Sequence, residues 1–137
     1  MRLLILSIAL LGAAYAQDSD SMSCVERLEI PQYPPLAYSA AIQGSLTATA
    51  TVDATGVVAT KITGHPLLAD AVKTAIAASA FLKSCAGKSV TVVFNFVIDQ
   101  TYKSSVPMRV SFGYPNQFSI SVPPPVAMPT TASRDVR

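Results

Sequence analysis

The chain has 137 residues, half of them apolar, 13% charged and a formal net charge of +2, with no block of like charges. That balance excludes the electrostatic footprint of a nucleic-acid or anionic-membrane binder, and the length suits one domain rather than two cores. Two cysteines, one histidine and no tryptophan leave little material for metal or nucleophilic chemistry.

Arg2 gives a short positive start, Leu3 to Leu11 is apolar apart from Ser7, and Ala14-Tyr15-Ala16 has the small-large-small pattern that signal peptidase accepts. Residues 1–16 are therefore expected to be a signal peptide cleaved after Ala16. The alternative is an inner-membrane anchor, for which the run is shorter than the roughly 20 apolar residues of a spanning helix. Cleavage would leave 121 residues with 9 basic and 8 acidic side chains. Periplasmic or secreted localisation follows from this expectation.

After a polar segment, 17–23, the domain is expected over 24–122. Cys24 and Cys85 in an oxidising compartment are expected to pair, with two separate buried thiols as the alternative. Ile30 to Pro35 is extended by its prolines, and Leu36 to Ile42 reads as a short helix started by Pro34 and Pro35 and ended at Gln43-Gly44. Leu46, Ala48, Ala50 and Val52 alternate with Thr47, Thr49 and Thr51, the period of a half-buried strand. Asp53-Ala54-Thr55-Gly56 is a hairpin turn, and Val57 to Thr63 is the returning strand.

Gly64-His65-Pro66 breaks that strand. Leu68, Ala71, Val72, Ala75 and Ile76 then recur at helical spacing, predicting a helix from Pro66 to about Ala80 whose apolar face covers the sheet. After Cys85-Ala86-Gly87-Lys88, the row Val90, Val92, Phe94, Phe96 and Ile98 is the strongest strand signal. The mixed opposite face (Thr91, Val93, Asn95, Val97) predicts a central or partly covered strand. Val106, Met108, Val110 and Phe112, then Phe118, Ile120 and Val122, read as a second hairpin across Gly113-Tyr114-Pro115-Asn116. The proline-rich end, 123–137, is expected to be a flexible tail.

No catalytic constellation emerges. His65 stands between Gly64 and Pro66, where a turn or capping role accounts for it. Asp53, Asp70 and Asp99 fall on a turn, a helix and a strand end, and the glycines stand singly, without a phosphate-cradling loop. Two cysteines 61 positions apart do not complete a tetrahedral metal site. A non-enzymatic binding or structural role is expected, without cofactor, metal, nucleic acid or small-molecule substrate.

The ordered set Tyr33-Pro34, a short helix, Ile42-Gln43-Gly44, Val52-Asp53-Ala54-Thr55-Gly56-Val57-Val58, Gly64-His65-Pro66-Leu67-Leu68, an alanine-rich helix, Phe81 and Gly87-Lys88 resembles the C-terminal domain of TonB over about Ile30 to Ile98. The resemblance implies an α+β domain of the bacterial cell envelope, a small antiparallel sheet packed on one main and one short helix. It also implies recognition of an envelope protein, in the family a TonB-dependent outer-membrane transporter, by strand addition of a short peptide. The family's binding region carries over to Gln32, Tyr33 and Pro34 and to the strand bearing Val90, Val92, Phe94 and Phe96.

The chain departs from the family pattern in three places. Its apolar start is cleavable and its prolines cluster at the other end, which removes the means of energy transduction. Ser79 stands where the family commonly has tryptophan. The hairpin over 106–122 is additional, and pairing with Val90 to Ile98 would close the peptide-binding edge. A peptide binder would leave that edge open beside Tyr33, whereas a structural or interaction protein that kept only the fold need not.

Overall fold

The computed structural model describes residues 21–56, 58–102 and 107–126. The expected signal peptide, most of the polar segment, Val57, Val106 and the tail from 127 onward lie outside the described residues. The fold is mixed α+β: a five-stranded sheet, a two-stranded sheet and two α-helices.

A single turn of 3-10 helix, Ser21–Cys24, leads into β1 (Val25–Arg27), and an extended proline segment leads into α1 (Pro35–Ser39). Pro35 starts α1 as the sequence predicts, but the helix ends three residues before Ile42. Ala41 turns into the left-handed region at φ 54°, and Ile42 N–H bonds back to Ala37 O at 2.8 Å. The chain then enters β2 (Gly44–Val52), whose Leu46, Ala48, Ala50 and Val52 are buried in the expected alternation.

Asp53 makes the hairpin turn: its Oδ1 accepts from Thr55 N–H at 2.8 Å and from Thr55 Oγ1 at 2.7 Å, while Gly56 takes the positive φ of 84°. The return strand is β3 (Val58–Thr63). At Gly64, φ is 144° and a Cβ would come within 2.6 Å of the Leu46 side chain, so glycine lets the turn close onto β2.

The main helix, α2 (Pro66–Ala78), buries Leu68, Val72, Ala75 and Ile76 against β2 and β3. It ends two residues earlier than predicted because Ser79 leaves the helix. Ser79 Oγ donates to Ala75 O at 2.8 Å and accepts from Glu29 N–H at 2.9 Å. The next residues form β4 (Ala80–Phe81), paired with β1 in a two-stranded sheet that strand periodicity did not predict. Two residues of strand are too short to carry a period.

The long strand is β5 (Ser89–Ile98), and its predicted row is buried throughout, with Phe94 and Phe96 at 0% and 1% exposure. The second hairpin is present as β6 (Arg109–Gly113) and β7 (Gln117–Val122). The sheet order β3-β2-β5-β7-β6 makes β5 central. The expectation of an antiparallel sheet is corrected at one seam, because β5 and β7 run parallel, from Val93 opposite Gln117 to Ile98 opposite Val122. The hairpin places its more apolar strand inward. Ile120 and Val122 are buried, while every residue of β6 is exposed, so the inner position goes to the strand with more apolar surface to remove from water.

Cys24 and Cys85 form a disulfide with a Cα–Cα distance of 5.8 Å. Together with Leu82 N–H donating to Cys24 O at 2.9 Å, it fastens the N-terminal strand to the segment after α2. The bridge closes a separation of 61 residues. In the chain-entropy description a loop of that size stabilises the fold by roughly 4 kcal/mol. The double substitution Cys24→Ala, Cys85→Ala is expected to lower the unfolding free energy by about 2–4 kcal/mol, read from the shift of the urea midpoint at constant slope.

Candidate functional site

The expected binding residues fall into two groups with different fates. Gln32, Tyr33 and Pro34 lie on the extended segment before α1, and Gln32 is exposed. Three shallow depressions meet at this side chain. One runs between Glu29–Pro31 and the outer side of α2 at Asp70, Ala71 and Thr74. Another lies between Pro34–Leu36 and Leu67, Asp70 and Ala71. The last, of 360 Å³, lies between Tyr33, Pro35 and Tyr38 on one side and Pro107, Met108 and Val122 on the other. Leu36, 73% exposed, and Leu67, 41% exposed, flank this strip.

Tyr33 is an anchor as well as a wall. Its ring meets Phe96 edge-on at 5.3 Å between centroids and Tyr38 at 5.9 Å. Its hydroxyl donates to Ile42 O, and burial holds its pKa above the ordinary value. The hydroxyl is thus engaged in closing the turn between α1 and β2.

Val90, Val92, Phe94 and Phe96 are core residues, each at 1% exposure or less. Their side chains point under the covering layer, so only the backbone of β5 could meet a peptide. That backbone is occupied on both sides. Towards β2 it pairs from Gly44 opposite Phe96 to Thr51 opposite Ser89, and the Gln43 side chain extends the ladder by accepting Ile98 N–H at 2.7 Å. Towards β7 it pairs over 93–98, with Val93 N–H on Asn116 O at 3.0 Å and Asp99 N–H on Val122 O at 2.9 Å. Before β7 begins, the Asn116 side-chain amide donates to Thr91 O at 2.7 Å.

Gln43 and Asn116 therefore cap β5 where its neighbouring strands stop. In the sequence, Gln43 marks a helix end and one piece of the TonB-like set, and Asn116 marks a turn. Nothing in their local pattern signals a partner 55 or 25 residues away. An aromatic row completes the attachment of the hairpin: Phe94 lies 5.9 Å from Phe118, and Phe118 lies 5.0 Å from Phe112.

His65 caps α2, its Nδ1 accepting from Leu67 N–H at 3.2 Å. The face of the sheet away from the helices is mostly polar, with Val93 and Val97 as its apolar members on β5. Ser45 Oγ donates to Asn95 Oδ1, and Thr51 and Ser89 hydroxyls meet at 3.0 Å. Among the described residues, no three His, Cys, Asp or Glu side chains are grouped to hold a metal ion, and no helix is long and apolar enough to cross a membrane. No family model, curated protein or solved structure matches the chain.

The turn that leaves β5 repeats the chemistry of the first hairpin. Asp99 Oδ1 accepts from Thr101 Oγ1 at 2.7 Å and Thr101 N–H at 2.9 Å, setting up Tyr102, which is buried and has the Arg109 guanidinium 4.7 Å from its ring centroid. The Thr101 hydroxyl and then its amide hold the Asp99 carboxyl below its ordinary 3.8, with a smaller contribution from Arg109.

A carboxyl whose pKa is lower folded than unfolded adds stability above its unfolded value and loses it as pH falls through the folded one. The Asp99 turn thus loosens only in acid, below about 3.8. Thr101→Val is expected to move the Asp99 titration upward, towards the ordinary value, in a carboxyl NMR titration. An unmoved midpoint would mean that the hydroxyl does not hold the carboxylate.

Proposed function

We propose that this chain is an exported protein-interaction module of the bacterial cell envelope, periplasmic or secreted, with a TonB C-terminal-like fold and without the family's energy-transducing role. In this reading it is not an enzyme and requires no cofactor. The observation that carries it is the pairing of β7 with β5: the edge that a transporter peptide would use is filled by the chain's own hairpin. The side-chain caps from Gln43 and Asn116 support the same reading, since they occupy backbone groups that an added strand would otherwise take.

A second reading keeps the transporter as partner, and the depressions converging on Gln32 favour it. An NMR titration with a TonB-box peptide of an outer-membrane transporter separates the two. Under the first reading, the Asn95 and Val97 amides keep their shifts and their slow hydrogen exchange at saturating peptide. Displacement of Phe118 to Val122 from β5, or saturable shifts confined to 32–36, would instead favour the transporter. Export is tested by the intact mass of native protein from separated envelope fractions. A soluble species beginning at Gln17 is expected, and a membrane-bound species retaining residues 1–16 would overturn export with cleavage and favour an anchored energy transducer.

A further inference from the structure

The hairpin that closes one edge creates another. Val93 and Asp99 amides bond to Asn116 O and Val122 O, so the even-numbered residues of β7 turn their peptide groups towards β5. The odd-numbered ones, Gln117, Ser119 and Ser121, turn theirs towards β6, opposite Gly113, Ser111 and Arg109. The N–H and C=O groups of Val110 and Phe112 consequently point away from the sheet along the terminal strand. Their side chains share the face of Ile120 and Phe118, yet Val110 is 40% and Phe112 57% exposed, and Tyr114 beside them is 81% exposed.

Sheets usually protect such an edge with a charge, a proline or a bulge. The opposite edge, β3, carries exposed Lys61 near its middle. β6 has no charge between its ends, and Arg109, at its start, is drawn onto the Tyr102 ring.

We infer that the outer edge of β6 pairs antiparallel with β6 of a second copy of this chain, joining two five-stranded sheets into one. The register that uses the whole strand is self-complementary. A two-fold axis at Ser111 sets Val110 opposite Phe112 of the second copy and Phe112 opposite its Val110, so the outward peptide groups of both strands meet and the apolar side chains share one face. Arg109 lies opposite Gly113, avoiding the like-charge contact that would oppose a symmetric seam. At each end, Met108 of one copy meets Tyr114 of the other. A single strand pair is a small interface, so association is expected to depend on concentration.

Sedimentation equilibrium of residues 17–137, produced directly, over a wide concentration range, together with variants on β6 and β3, tests this. The mass is expected to approach twice that of the monomer at high concentration. Val110→Pro removes an outward N–H without breaking a β6–β7 bond, and should weaken association by about tenfold or more. Val110→Lys serves the same purpose if circular dichroism shows the proline variant unfolded. Ser111→Cys sits at the two-fold axis, where a non-bonded antiparallel pair has Cα atoms about 4.5 Å apart, within disulfide reach. It should give a covalent dimer on mild oxidation, and Lys61→Cys on β3 should not. A monomer at every concentration, a dimer unaffected by both Val110 variants, or equal cross-linking at Lys61→Cys would each overturn the inference. Because none of these readouts involves a peptide or the export route, failure here is distinguishable from failure of the functional reading.

Discussion

The structure depends on double occupancy of β5. This ten-residue strand carries the largest apolar row of the chain on one face, and it can stay buried only if the polar backbone beneath that row finds partners on both sides. β2 supplies one set and β7 the other, while two amide side chains, Gln43 and Asn116, reach the positions that the shorter neighbours miss. Without β7, the carbonyls and amides of Val93, Asn95 and Val97 would line an open edge. The β6–β7 hairpin is thus structural before it is anything else.

Covering the same face takes two separate pieces of chain. The α2 helix lies over β2 and β3, and the segment from Ser21 to Ile42 lies over β5. The regular elements of that segment are each five residues or shorter, so its placement must come from fastenings. The disulfide holds it at Cys24, Ser79 holds Glu29, and Tyr33 packs on Phe96 while its hydroxyl closes the turn at Ile42. The depressions around Gln32 follow from this arrangement, because an extended proline-rich strip laid beside a helix and a sheet cannot fill the angle between them.

Much of this was legible where a period or a turn chemistry repeats. The alternations in β2 and β5, the helical spacing of Leu68, Val72, Ala75 and Ile76, and the Asp53 turn all express local rules, while the pairing of the two cysteines, 61 positions apart, follows from there being only two in an expected oxidising compartment. The parallel seam was not legible. Alternation in β6 and β7 announces a hairpin, but which of its strands docks on β5 depends on comparing buried area after assembly. Likewise, Val90 to Phe96 carried over to a binding role as a strand, and the sequence placed them correctly on one face. Whether that strand was an edge was a question about a segment 20 residues further on.

Occupying the β5 edge in cis also closes it to any other strand. A peptide from another protein would have to replace β7 and break the contacts of Phe118 with Phe94 and of Ile120 with the core, and it would then leave β6 without a neighbour. The hairpin is tethered, so its local concentration opposes any free peptide of similar sequence. The backbone left open to a further strand therefore lies two strands outward from β5, on β6. There, the available groups are those of Val110 and Phe112. A strand added at that position would meet the hairpin and not β5, which keeps both of its neighbours.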